Sequence, residues 1–384
     1  MQFEFATATR IIFGAGTLNQ IGVTVKNFGG RALIVAGRNP RRAEKLLANL
    51  SASGISTAVF SVSGEPEIST VEAGVAFAQK ENCDFVVSIG GGSVIDAGKA
   101  IAAMMTNDGE LLDYLEIIGR GKSLAKPGAP FIALPTTAGT GTEVTRNAVL
   151  SSPEHRVKVS LRSPLMLARV AVIDPELTCD LPPALTASTG LDALTQLIEP
   201  FVCRRANPMT DGFCTEGIHR AARSLREAVL NGQNKTARED MALASLFGGL
   251  ALANAGLGAV HGFAGPIGGM FPAPHGAVCA ALLPHVMAAN LRALREREPD
   301  NFALRRYYHV AQLLTGNQQA AADAGVDWVE KLVAELPISK LGAYGVREEH
   351  VAEIVSKAAN ASSMKANPIA LTPDELAQTL RLAL

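Results

Sequence analysis

The chain has 384 residues, 48% of them hydrophobic and 18% charged, and a formal net charge of −1. Its length exceeds one ordinary compact core, so two domains are expected, and its composition excludes a disordered chain. Near-neutral charge, with no run of lysines and arginines, argues against nucleic acid or an anionic membrane as the main partner.

At the N-terminus, MQFEFATATRIIFG carries polar and charged residues where a secretory leader needs an apolar run. IIFGAGTLNQIG offers Gly14-x-Gly16 but has Asn19 where a third glycine belongs, so this partial fingerprint reads as a turn. Five apolar runs follow: RALIVAG, TAVFSV, DFVVSIGGG, PFIALPTT and VAVIDP. Helix-compatible stretches such as PRRAEKLLANLSASG and STVEAGVAFAQKENC separate them. Short buried strands alternating with amphipathic helices predict a wound α/β domain with a mostly parallel sheet.

Two glycine loops end strands of that sheet. In FVVSIGGGSVIDAGKAIAAMM, residues 85–105, a strand runs into Gly90-Gly91-Gly92-Ser93 and a helix is expected from about Val94. Small residues at a helix start suit a pyrophosphate; the plainer account is a tight turn with Ser93 and Asp96 as a capping box. ALPTTAGTGTEVT, residues 133–145, sets Gly139 and Gly141 among threonines at the next strand end. A pair of such loops marks where α/β sheets bind ligands. The strand ending in Gly37 and Arg38 is expected to meet the adenosine ribose. An arginine there, with no acid, leaves room for the 2′-phosphate of NADP.

Near Asp180-Leu-Pro-Pro183 the pattern changes, and stretches such as REDMALASLFGGLALANAG and GVDWVEKLVAELPI have helical spacing. The expected organisation is an α/β nucleotide-binding domain over 1–181, a helical metal- and substrate-binding domain over 182–384, and a cleft between them. In LTASTGLDALTQLIEPFV, residues 185–202, Thr186, Ser188 and Thr189 are N-cap candidates, while Asp192 and Gln196 project from one side. A first-turn aspartate and a surface glutamine would explain that pair blandly. The charge-free segment 241–271 reads as a buried helix followed by a loop, its end broken by Pro266 and Pro272, and not as a membrane span. Within GAVHGFAGPIGGMFPAPHGA, residues 258–277, His261 and His275 need a hydrogen-bond partner, a proton-transfer role or an ion. With Asp192 and Gln196 they offer a donor set for a divalent metal such as Fe2+ or Zn2+. The cysteines (Cys83, Cys179, Cys203, Cys214, Cys279) form no C-x-x-C pair and predict buried thiols in a reducing cytoplasm.

GGGSVIDAGKA, PTTAGTGTEVT, VIDPELT, ASTGLDALTQLIE and GAVHGFAGPIGG…PHGAVCAALLPHVM together make the chain resemble the iron-containing (group III) alcohol dehydrogenase family over essentially its whole length. That resemblance implies an α/β NAD(P)-binding domain, a helical metal-bearing domain, interconversion of small alcohols and aldehydes, and a homodimer. By position it implies that Gly91, Gly92, Ser93, Asp96 and Lys99 belong to the pyrophosphate loop and its helix. Thr136, Thr137 and Thr140 would approach the phosphates and nicotinamide, with Lys158 and Leu177 of VIDPELT also at the cofactor. Asp192, His261 and His275 match metal ligands and are the catalytic candidates. Two positions depart from the pattern: Gln196 stands where the family commonly has a histidine ligand, and Gly265 where a second histidine often moves protons. Both departures resemble a subset that includes metal-independent maleylacetate reductases. The alternative reading is therefore a metal-free NAD(P)H reductase of a carboxylated substrate, with Arg146, Arg156, Lys158 and Arg162 as carboxylate partners. A dehydroquinate synthase reaction and a non-catalytic nucleotide-binding protein are more distant rivals.

Overall fold

The computed structural model describes residues 2–384 and divides into two compact units. One comprises Ala6–Thr137 and Gly141–Thr178. Its strands are β1 (Arg10–Phe13), β2 (Arg31–Gly37), β3 (Ser56–Val62), β4 (Phe85–Gly90), β5 (Phe131–Pro135), β6 (Asn147–Ser152), β7 (Val157–Arg162) and β8 (Val170–Ile173). Six of them form a parallel sheet in the order β1-β8-β5-β4-β2-β3. Every residue of β4 and β5 is buried, which is why these runs are continuously apolar rather than alternating. The longer helices of this unit are α1 (Arg41–Ala52), α2 (Ile68–Lys80) and α3 (Gly92–Met104).

Two elements differ from the sequence-based expectation. RIIF is a short edge strand paired with β8 rather than part of a turn, and the turn follows it at Gly14 and Gly16, both at positive φ. Asp174 closes that turn by accepting from the backbone N–H groups of Gly16 and Leu18. β6 and β7 form a separate antiparallel hairpin that the apolar runs did not reveal, because each strand buries only alternate residues.

Asp96 and Lys99, both on α3, hold the chain that enters this hairpin. Asp96 Oδ1 accepts from Thr142 Oγ1 at 2.5 Å, and Oδ2 from Val149 N at 3.1 Å. Lys99 Nζ donates to the carbonyls of Thr142 (2.7 Å) and Asn147 (2.8 Å) and to Thr145 Oγ1 (3.0 Å). Burial pushes Lys99 down to about 8, against the pull of Asp96 and Glu143. It pushes Glu143, also buried, up to about 7, with Lys99 opposing. The folded chain therefore holds a proton on Glu143 that an unfolded chain releases between about 4.5 and about 7, so stability falls as pH rises through that window. Glu143→Gln is expected to flatten this decline. Urea midpoints compared at about pH 5 and about pH 7.5 check it, with the variant's relative gain confined to the higher pH.

The second unit comprises residues 2–5, Ala138–Thr140 and Cys179–Leu384. Its helices are α4 (Pro183–Val202), α5 (Pro208–Leu230), α6 (Lys235–Asn254), α7 (Ala259–Met270), α8 (His275–Arg297), α9 (Phe302–Thr315), α10 (Ala322–Glu335), α11 (Val351–Ala359) and α12 (Pro373–Leu382). Pro182 caps α4 and Pro183 opens it, where a missing N–H costs nothing. Asn207, Asn234 and Asn301 cap α5, α6 and α9 through their side chains. All nine of these helices contribute to the core, with Leu191, Leu194, Ile218, Leu225, Phe263 and Leu282 almost wholly buried.

The segment 241–271 is not one helix followed by a loop. α6 and α7 meet at 96° across a break of four residues, and Pro266 lies inside α7 rather than ending it. Among the described residues, α8 has the length and apolar character of a membrane-spanning helix, but 83% of that apolar window is buried within the unit. It is a core helix.

Candidate active site

α4 carries Asp192, Gln196 and Glu199 along one face, at i, i+4 and i+7, and all three are buried. Asp192 sits in mid-helix rather than the first turn, and Gln196 is 3% exposed, so neither is the solvated residue of the bland account. Thr186, Ser188 and Thr189 lie inside the helix and not at its cap; Ser188 and Thr189 donate back to the Leu185 carbonyl.

The start of α7 is clamped by side chains. Asn367 Oδ1 accepts from Ala259 N at 3.0 Å, and Glu199 Oε1 from Val260 N at 2.7 Å. These satisfy two of the N–H groups that a helix start leaves without intrahelical partners. The other oxygen of Glu199 lies 2.6 Å from His261 Nδ1. A carboxylate only accepts, so Nδ1 donates its proton to Glu199 and Nε2 is turned the other way. It faces Asp192 Oδ1 at 3.4 Å. His275, the first residue of α8, brings its Nε2 to 3.7 Å from the same oxygen, with the two imidazole centroids 5.3 Å apart. Cys279, one turn along α8, places Sγ 3.8 Å from His261 Nε2 and 3.7 Å from His275 Nε2. The donor atoms of Asp192, His261, His275 and Cys279 all lie within 4.8 Å of one another.

The residues fit a divalent cation. Asp192 Oδ1, buried at the focus of both imidazoles, has no hydrogen-bond partner, and neither does the buried Oε1 of Gln196. Orphaned carboxylate oxygens are costly in a core unless a cation compensates them. Burial raises Asp192's pKa, but His275, His261 and a hydrogen bond from Gln196 outweigh it, leaving the carboxyl below its usual range. Burial likewise favours a neutral His261, yet Cys279, Asp192 and Glu199 hold its pKa well above the ordinary value; His275 is raised as well, by Cys279 and Asp192. The cluster thus attracts positive charge, whether a proton or a metal, and metal uptake must release protons.

Sequence reasoning missed Glu199 and Cys279. Both were accessible: Glu199 is seven residues after Asp192 on the same helix face, and Cys279 four after His275. Glu199→Gln keeps an oxygen for the α7 cap but removes the charge that fixes the His261 ring. It is expected to weaken metal binding by about 10–100-fold while leaving the helix intact, as a metal titration with circular dichroism would show.

In the α/β unit, a cleft of ≈ 250 Å³ opens at the carboxyl ends of β2, β4 and β5. Gly37, Arg38, Gly91 and Thr136 line it, with Asn39 and Arg42, and none of its lining residues is acidic. This is where the strand order reverses, the expected ligand position in a wound sheet. Gly91 caps α3, while Gly92 and Ser93 form its first turn. The Ser93–Asp96 capping box is not formed, because Asp96 is engaged by the hairpin segment. The Thr137 side chain lies against Gly91. The other expected cofactor residues are not part of this lining. Asp96 and Lys99 are buried beneath it, Lys158 Nζ pairs with Glu65 at 2.9 Å, and Leu177 packs on the core of the sheet. Thr140 belongs to the segment that groups with the helical unit.

Residues 8–175 match the family model described as iron-containing alcohol dehydrogenase, and residues 186–384 match its Fe-containing C-terminal counterpart. The class is therefore an oxidoreductase of alcohols. A 1,3-propanediol dehydrogenase of Citrobacter freundii is 36% identical, the match covering 99% of this chain and 98% of that one. An NAD-dependent methanol dehydrogenase of Bacillus methanolicus is 34% identical over 97% of each chain. A crystal structure of a 1,3-propanediol oxidoreductase superimposes with a TM-score of 0.93 at 35% identity, covering 100% of both chains. The chain belongs to the iron-containing alcohol dehydrogenase family. These relatives support nicotinamide-dependent alcohol oxidoreduction and do not favour reduction of a carboxylated substrate such as maleylacetate.

Proposed function

We propose that the protein interconverts a short-chain alcohol and its aldehyde, with Asp192, His261 and His275 holding a divalent ion, Fe2+ or Zn2+. The observation that carries this reading is the unpartnered, buried Asp192 Oδ1 facing two imidazole nitrogens. Such an ion supplies Lewis acidity toward the substrate oxygen, and a bound nicotinamide supplies or accepts the hydride. Asp192 contributes the negative charge, and Glu199 keeps the His261 donor nitrogen aimed inward. His275, with a side chain 33% exposed, marks the face through which a small substrate enters.

In the α/β half (1–181), the backbone at Gly91, Gly92 and Ser93 takes the pyrophosphate at the start of α3. Thr136, Thr137 and Thr140 offer hydroxyls to the phosphates and nicotinamide, and Lys158 and Leu177 complete the cofactor set. Asp96 and Lys99 serve it by holding the 142–149 segment in place. Arg38 beside Gly37, in a cleft without an acidic residue, favours NADP over NAD. The helical half (182–384) holds the metal and substrate. We read Gln196, in place of a histidine, as the mark of a subset of the family with weaker metal retention. With Gly265 where a second histidine would stand, no side chain at that position can carry a proton, and a cofactor ribose hydroxyl or water would have to serve. We further assign the protein to the cytoplasm as a homodimer, with no nucleic-acid or membrane partner.

The test is NAD+ and NADP+ reduction with methanol, ethanol and 1,3-propanediol, before and after chelation. Alcohol-dependent, chelator-sensitive turnover with a lower KM for NADP+ supports this reading. Chelator-insensitive turnover confined to carboxylated substrates contradicts it.

A further inference from the structure

The protein offers two side chains as a further donor beside Asp192, His261 and His275, and they are not equivalent. Gln196 sits one turn along α4 from Asp192, with its Oε1 buried and unpartnered. A carboxylate accepts only from the amide N–H2, so a glutamine in this place can orient Asp192 without taking a coordination position. Cys279 has no such role: its Sγ packs against the two nitrogens that Asp192 also faces. Tetrahedral coordination with bonds of about 2.0–2.3 Å separates neighbouring donors by roughly 3.3–3.8 Å. Four of the six donor separations in this cluster are 3.4, 3.7, 3.7 and 3.8 Å, already at that spacing, and all six lie within 4.8 Å. The orphaned Asp192 Oδ1 points independently to a cation at the same place.

We infer that Cys279 is the fourth protein donor of the metal site and binds as a thiolate, with Gln196 orienting Asp192 instead of ligating. This deepens, and rests on, the reading of the cluster as a metal site. The register of α8 makes it possible, since positions i and i+4 share a helix face and His275 and Cys279 approach one point together. A thiolate brings negative charge and a soft, polarizable donor. It shifts preference toward Zn2+, Co2+ and Fe2+ and away from Mg2+ and Mn2+, for which oxygen donors are better suited.

The experiment loads the full-length protein with Co2+, establishes the bound stoichiometry by elemental analysis, and records the near-ultraviolet spectrum and the cobalt-edge X-ray absorption. A thiolate-to-cobalt charge-transfer band and one sulfur scatterer at about 2.3 Å are expected in the wild type. The band should vanish in Cys279→Ser and persist in Gln196→Ala. Cobalt bound at one equivalent with only nitrogen and oxygen scatterers, or a band that survives Cys279→Ser, overturns the assignment to Cys279 and leaves the metal reading standing. Failure to bind cobalt at all overturns both. The absorption edge needs no variant, so it decides the matter even if Cys279→Ser does not fold.

Discussion

Asp192→Ala is expected to abolish metal retention and lower kcat/KM for alcohol oxidation on the order of a thousandfold. The reason is geometric: Oδ1 of Asp192 is the atom that faces both His261 Nε2 and His275 Nε2, and it has no other partner. Removing it leaves one buried and one partly exposed imidazole whose raised pKa depends partly on that carboxylate. Asp192→Asn separates charge from packing, because the amide preserves volume and the mid-helix environment. Steady-state kinetics with metal analysis should show both variants defective. An Asn variant that kept full metal and turnover would mean the carboxylate acts only as filler.

Gly276→Ala is expected to disable the site although residue 276 touches no substrate. A Cβ there would lie 2.3 Å from the Ser188 carbonyl oxygen and 2.8 Å from its carbon. Those atoms belong to the α4 backbone and have no rotamer by which to retreat. The start of α8 must move instead, carrying His275 away from Asp192. A displacement of about 1 Å costs on the order of a hundredfold in rate, and the overpacking about 1–3 kcal/mol of stability. Gly265→Ala provides the contrast, since a Cβ at that position in α7 meets nothing within 4 Å. It should leave stability unchanged or raise it by about 0.5–1 kcal/mol. Urea unfolding and metal stoichiometry on the two variants check both expectations.

The parallel sheet was legible because β2, β4, β5 and β8 are buried on both faces and read as unbroken apolar runs. The β6–β7 hairpin was not, because its buried and partly exposed positions alternate and charged residues of 154–156 interrupt it. The Asp192, His261 and His275 cluster could be read as a possibility from residue type alone. The groups that complete it were missed although their spacing was there to read, because Glu199 reads as an ordinary helix carboxylate until Val260 and His261 are seen to need its two oxygens. Cys279 likewise reads as a buried thiol until α8 places it against both rings. Lys99 and Asp96 taught the opposite lesson. The resemblance placed them with the pyrophosphate loop and its helix, whereas burial required them to find protein partners, and the hairpin entry supplied those.

The most direct measurement is a metal titration of chelated protein, following alcohol-dependent reduction of the nicotinamide cofactor at each increment of Fe2+ or Zn2+. Activity should rise linearly from near zero and reach its plateau at about one equivalent per chain, with Asp192→Ala silent throughout. Full turnover in the metal-depleted protein, unaltered by added ion, would contradict the account.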